Sequence, residues 1–347
     1  MLFTCDYLEG AHPKIMERLM ETNIRQTIGY SEDVYCQRAR TVIKEVIDRE
    51  GADVHFLVGG TQTNMSVIAA SLRPHHGVFS AASGHINVHE TGAIEATGHK
   101  VLALETGSEG KLTAAQVERA YLAHITDETH EHMVKPHMVY ISNPTENGCV
   151  YTKAELVAMR EVCDRYGLLL YLDGARLGYG LVSPCCDLQL RDLARLCDAF
   201  YIGGTKQGAL FGEAVVLINP EIKSDFRYLI KQRGGMLAKG RLLGIQFETL
   251  FTDNLYFEIS KGAVDRALHI ARTLENCGFE LLTTPQTNQI FPILTRSEYE
   301  LLAPRYGLEW WKDVDAESKA FRICTSWATT DEMVSAIESD ICSLRRK

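Results

Sequence analysis

The chain has 347 residues, 46% of them hydrophobic and 23% charged, a balance that buries a sizeable core and fits a large domain with a smaller one attached. Its formal net charge of −9 argues against nucleic acid or an anionic membrane surface as a partner. No apolar run approaches the roughly 18–20 residues of a membrane span, the first residues lack the pattern of a signal peptide, and ten scattered cysteines without Cys-x-x-Cys read as reduced thiols. A cytoplasmic, soluble protein with no structural metal is expected.

In chain order, residues 53–58 read as a buried strand stopped by Gly59-Gly60, and 61–72 as the helix after it. Residues 77–82 and 100–105 are further strands, with a helical pattern over 89–97 between them. A helix at 113–124 and a polar loop at 126–137 lead to a strand at 138–142, which ends in the turn formers Asn143-Pro144-Thr145-Glu146-Asn147-Gly148. Thr152 and Glu155 form a capping box for a helix running to about Tyr166. Strands follow at 168–172, 198–202 and 214–218. This alternation gives the fold class as α/β, with a mostly parallel, doubly wound sheet covered on both faces. Past Gly240 the pattern changes to a long helix at 254–277 and strand-like segments at 279–282, 289–294, 308–314 and 321–325. A final helix is capped at Thr329, with Glu332 three residues on. The expected division is a large domain at 1–245 and a smaller α+β domain at 246–347, with the segment at about 1–20 packing on the smaller one.

Ligands in such a sheet bind beyond the carboxyl ends of the strands, which singles out five segments. Asp173, in Leu172-Asp173-Gly174-Ala175-Arg176, ends an apolar strand where a carboxylate needs a partner. A pyridinium nitrogen would serve, and a cap on the next turn is the plainer reading. Lys206 follows a strand and two glycines in Tyr201-Ile-Gly-Gly-Thr-Lys206, where a desolvated amine forms imines; a solvated lysine is the plainer alternative. In Val58-Gly-Gly-Thr-Gln-Thr-Asn64, Gly60, Thr61 and a helix N-terminus suit a phosphate, although many strand–helix turns carry two glycines. Neither this segment nor Lys206 matches a nucleotide-binding pattern. His85 could stack on a flat ring or be structural, and His85 with His89 lacks a third metal ligand. Arg322, on an apolar segment, needs an anion, either a substrate carboxylate or an internal salt bridge.

Together these segments resemble the threonine aldolase / β-eliminating lyase family within the aspartate-aminotransferase-like (fold type I) enzymes of pyridoxal 5'-phosphate. The similarity runs along nearly the whole chain, through Cys5-Asp6, His12-Pro13, Gly60-Thr61-Gln62-Thr63-Asn64, His85-x-x-x-x-Glu90, Thr145-x-Asn147-Gly148, Asp173-Gly174-Ala175-Arg176, Lys206 and Arg322. By this resemblance Lys206 forms the Schiff base with the cofactor, Asp173 pairs with the ring nitrogen and His85 stacks on the ring. Gly60, Thr61 and Thr205 would hold the phosphate, and Arg176 and Arg322 the carboxylate of a small amino acid substrate. A homotetramer or homodimer is implied, with Tyr30 and Tyr35 reaching a neighbouring site.

Two departures stand out. Glu146 occupies the position of a family histidine that handles the β-hydroxyl proton, so Glu146, His85, His89 and a phosphate-activated water compete for that role. The Arg-containing family segment Gly-Gly-Gly-Met-Arg is altered to Arg233-Gly-Gly-Met-Leu-Ala-Lys239-Gly-Arg241, which leaves open the basic residue that reaches the phosphate. The expected reaction is retro-aldol cleavage of a β-hydroxy-α-amino acid to glycine and an aldehyde. β-Elimination or racemisation on the same scaffold is the alternative, and a non-catalytic anion-binding relative is more remote.

Overall fold

Seven strands form the main sheet: β1 (Asp53–Leu57), β2 (His76–Ala81), β3 (Lys100–Leu104), β4 (Lys135–Ser142), β5 (Leu169–Asp173), β6 (Ala199–Gly203) and β7 (Glu213–Leu217). The computed structural model describes residues 1–344. The spatial order is β1-β7-β6-β5-β4-β2-β3. The pairs from β3 through to β6 are parallel, and β7 alone runs antiparallel to its neighbours β1 and β6. Both faces are buried, so side chains alternate between two cores along each strand. Val139 and Ile141, Leu170 and Leu172, and Phe200 and Ile202 point into one core. Tyr140, Tyr171 and Tyr201 point into the other, against Val67 and Ile68 of the helix Gly60–Ser71. The reversal at β7 matters for the site. It brings the chain back at the same sheet edge, so Lys206, just after β6, and Glu213, at the start of β7, end up side by side there.

A second sheet contains β8 (Gln289–Ile290), β9 (Ile293–Thr295), β10 (Glu309–Asp313) and β11 (Ser318–Cys324), each of the first three antiparallel to β11. The helices Leu255–Asn276 and Asp331–Ser343 bury their apolar faces in its core, which also takes in Phe3. The Phe3 N–H donates to Tyr306 O at 2.8 Å, and its carbonyl accepts from Cys324 N at 2.8 Å. The residues around Phe3 therefore complete the smaller core, whereas Ile15 of the helix Pro13–Thr22 lies in a core of the main sheet, so only the first part of the segment at about 1–20 packs as expected.

The structure departs from the sequence pattern in several places, among them helices at Val34–Val46 and Arg296–Tyr306 and a strand pattern at 289–294 that splits into β8 and β9. The helix expected at 89–97 is instead a short helix at His85–Val88 and a 3-10 turn at Glu95–Thr97. Thr91 and Gly92 adopt φ of 54° and 69°, which breaks the helix between them. Residues 279–282 form only an isolated bridge, Leu281 to Pro292, rather than a strand. The final helix is capped by Thr330, whose hydroxyl accepts from Met333 N, while Thr329 accepts from Ser326 N. The helix Arg241–Phe251, with seven of its eleven residues buried, also has no sequence expectation. It packs against Val34–Val46 through Gly244, where a Cβ would sit 2.5 Å from Cys36 N.

Candidate active site

A cavity of about 530 Å³ opens at the carboxyl edge of the main sheet, facing β10 and β11. Gly60, Thr61, His85, His89, Glu146, Asp173, Arg176, Thr205, Lys206 and Arg322 all line it, whereas Tyr30, Tyr35 and the basic residues of 233–241 do not. Among the lining residues the sequence reading missed are the titratable Tyr7, Glu213 and Glu309.

Asp173 continues the alternation of β5 onto the tyrosine face and is 4% exposed. It accepts hydrogen bonds from Tyr201 Oη at 2.5 Å, Tyr140 Oη at 2.6 Å, Asn64 Nδ2 at 3.1 Å and Ala175 N at 3.0 Å. Burial pushes its pKa up, but His85 and these donors outweigh burial and hold it below the ordinary value. The result is a buried, ionised carboxylate at the cavity floor. Each tyrosine stands two residues before the end of its strand, in Tyr140-Ile-Ser142, Tyr171-Leu-Asp173 and Tyr201-Ile-Gly203. That recurrence was the available signal for this donor ring.

Asn64 links Asp173 to a second carboxylate. Its Nδ2 also donates to Glu90 Oε1 at 2.7 Å, and its Oδ1 accepts from Tyr171 Oη at 2.8 Å. Glu90 Oε1 lies 2.8 Å from His85 Nδ1. A carboxylate only accepts, so Nδ1 donates to Glu90, and Nε2 is the ring nitrogen without a hydrogen bond among the described residues. Glu146 is buried, and its Oε1 accepts from His85 N at 2.9 Å and Ser142 Oγ at 2.6 Å. Burial raises its pKa. Glu146 thus holds the backbone of His85, and Glu90 holds its ring. Glu90→Gln, whose amide can donate to Nδ1, is expected to switch the His85 tautomer and lower kcat at least about tenfold with a smaller change in KM. Imidazole ¹⁵N shifts and steady-state kinetics check this, and an unchanged tautomer would contradict it.

Both arginines have intramolecular partners. Arg176 pairs bidentately with Asp6, Nε to Oδ2 at 2.7 Å and Nη2 to Oδ1 at 3.0 Å. Arg322 donates from Nε and Nη2 to Thr4 O at 3.2 and 3.0 Å, and from Nη2 to Glu309, its partner across the β10–β11 pair. Nη1 of each makes no hydrogen bond among the described residues. Burial would raise Asp6, but Arg176 and Lys206 bring it down to about 2. A depressed carboxylate contributes stability that is present above the ordinary carboxylate range and lost as pH falls through the folded pKa, so Asp6 stabilises the fold down to about pH 2. Asp6→Asn strands the Arg176 charge and is expected to cost about 3–5 kcal/mol in denaturant unfolding at neutral pH. A loss below about 1 kcal/mol would show that the pair does not hold this corner together.

Lys206 is partly buried, and its Nζ lies 5.9 Å from the centre of the Tyr7 ring. Desolvation and the Arg176 charge lower its pKa against the opposing pull of Asp6, Asp173 and Glu213. Its ammonium makes no ion pair within 4 Å among the described residues. The loop around it is pinned, since Thr205 N donates to Gly212 O at 3.1 Å and Tyr179 Oη donates to Lys206 O at 2.5 Å. The basic residues of 233–241 do not reach this cavity. Lys239 and Arg241 line a separate one of about 550 Å³ with Arg25, and Arg233 Nη1 donates to Gln232 Oε1 at 3.3 Å.

The fold and site define an α/β protein with an enzyme-like cleft, in which a lysine of lowered pKa and a buried ionised carboxylate share one cavity. Residues 3–297 match the β-eliminating lyase family. A threonine aldolase from Leishmania major is 44% identical, with 99% of each chain covered and a TM-score of 0.96. The low-specificity L-threonine aldolase of Pseudomonas aeruginosa is 28% identical over 342 residues, 98% of this chain and 96% of that one. A double mutant of Thermus thermophilus aspartate aminotransferase, 14% identical, shares the fold, with a TM-score of 0.73 over 99% of this chain and 91% of that one. The chain belongs to the β-eliminating lyase family.

Proposed function

We propose that the chain is a pyridoxal-phosphate-dependent aldolase that cleaves a β-hydroxy-α-amino acid, of threonine or allo-threonine type, to glycine and an aldehyde. The observation that carries this reading is the convergence of Lys206, Asp173, His85, Arg176 and Arg322 on one cavity. The residues fit the cofactor. Asp173 is an ionised carboxylate with room at the cavity floor for a ring nitrogen. At Gly60 a Cβ would come within 3.1 Å of Tyr201 Oη, so glycine lets the helix start lie close to the hydroxyl that serves Asp173, and that helix start suits a phosphate. When bound, the group supplies an electron sink beside the substrate Cα.

The protein's own residues do the rest. Lys206 would hold the cofactor through its amine, and Asp173 would favour the protonated ring nitrogen. His85 would stack on the ring, and Gly60, Thr61 and Thr205 would hold the phosphate. Nη1 of Arg176 and of Arg322 would bind the substrate carboxylate and so set the rotation about Cα. His85 Nε2 takes the β-hydroxyl proton, because Glu146 is committed to the His85 loop and Glu90 keeps Nδ1 protonated. The assembly is a homotetramer or homodimer. Supporting this, Met20, Ile24 and Ile28 are 77%, 91% and 72% exposed, a cost that a second copy would remove. Besides Lys206, Arg176 and Arg322, no lysine or arginine among the described residues lines the cavity, so a neighbour would supply the phosphate's cation. Cysteine usage supports a cytoplasmic setting.

The products decide the reaction. Incubation with L-threonine and with L-allo-threonine is expected to yield glycine and acetaldehyde. A 2-oxo acid and ammonia without glycine would replace aldol cleavage with elimination.

A further inference from the structure

Glu213, at the start of β7, is a buried carboxyl that the proposed aldol chemistry does not use. Its Oε2 accepts from Gly204 N at 3.0 Å, and its Oε1 accepts from Thr205 Oγ at 2.8 Å. Thr205 Oγ in turn accepts from Gly212 N at 3.0 Å. A hydroxyl has one proton and two lone pairs. While Glu213 is ionised, the Thr205 proton is committed to it and cannot reach a ligand. A phosphate monoester dianion against Thr205 would also meet a carboxylate of like charge. One proton on Glu213 removes both obstacles. The Glu213 O–H then donates to Thr205 Oγ, the Gly212 bond persists, and the Thr205 proton turns to the phosphate. Glu213 Oε2 still accepts from Gly204, so every donor and acceptor is paired.

We propose that Thr205 and Glu213 form a proton-coupled phosphate site, in which a phosphate monoester dianion binding against Thr205 draws one proton from solvent onto Glu213. The inference rests on the reading of Gly60, Thr61 and Thr205 as phosphate holders. Burial holds the Glu213 pKa up at about 7, so the proton is available near neutrality. The groups facing it are Lys206 on the same loop, which lowers it, and Asp173 at the end of β5, which raises it. Tyr171, Tyr201 and Tyr256 also face it and stay neutral, because burial pushes each of them up.

Calorimetric titration of the apoprotein with pyridoxamine 5'-phosphate, which cannot form an imine with Lys206, tests this when run in buffers of different ionisation enthalpy. At about pH 8 the wild type is expected to take up about one proton more than Glu213→Gln; protons taken up by the ligand ring cancel in that comparison. From about pH 7 to 9 wild-type affinity should fall by up to about tenfold per pH unit relative to the variant. Thr205→Val, a change outside the carboxyl itself, should weaken binding at least about tenfold at about pH 6 and less at about pH 8.5. Equal proton counts in wild type and Glu213→Gln, or a Thr205→Val loss that is the same at both pH values, would overturn the inference and leave the cofactor reading standing. No binding to the wild type would overturn both.

Discussion

Lys206→Ala is expected to abolish turnover, a loss of at least about a thousandfold in kcat. The geometry asks this much of one amine. Lys206 sits where β6 ends, on a loop pinned by Gly204 to Glu213 and by Thr205 to Gly212, so its position is set by backbone bonds that alanine leaves intact. Its lowered pKa raises the fraction of neutral amine, the form that attacks a carbonyl. Lys206→Arg separates charge from nucleophilicity. It keeps a cation beside Asp6 and Asp173 but cannot form an imine, so it should be as inactive as the alanine variant. Steady-state assays of both variants with L-threonine check the assignment. Activity within about tenfold of wild type in either would remove Lys206 from the chemistry.

Asp173→Asn is expected to cost roughly two to four powers of ten in kcat. The change is nearly isosteric, but it removes the charge that the whole tyrosine face is arranged to stabilise. Tyr140 and Tyr201 both donate to Asp173, and an amide nitrogen cannot accept either proton, so one hydroxyl loses its partner in a buried site. A stability loss of about 1–3 kcal/mol should therefore accompany the loss of rate. The two effects are separable. Asp173→Glu restores the charge with poorer geometry and should recover part of kcat without recovering stability. Full activity in Asp173→Asn would mean that ring-nitrogen protonation does not limit the reaction.

The legible part of the site lay where strands end in unusual residues. Asp173, Lys206 and Gly60 each follow an apolar run, and a doubly wound sheet brings such strand ends to one edge. Arg322 was readable because a guanidinium on an apolar strand demands an anion. Its counterion, Glu309, was not, since the pair depends on the antiparallel register of β10 against β11. Glu213 was hidden for a similar reason. Read as the head of a parallel strand it would lie at the opposite edge, and only the antiparallel course of β7 puts it beside Thr205. The helix expected at 89–97 failed at Thr91-Gly92, where left-handed backbone overrides an apolar pattern. Glu146 was readable as a candidate base, but its bonds to the His85 backbone and Ser142 cast it as a support for His85.

The most direct test of the central claim is an absorbance spectrum of the purified protein, followed by borohydride reduction and peptide mapping. A visible band that reduction bleaches, with the reduced adduct on the peptide containing Lys206, is the expected result. A protein that stays colourless after addition of pyridoxal 5'-phosphate, or an adduct on another lysine, would contradict the assignment of this cavity.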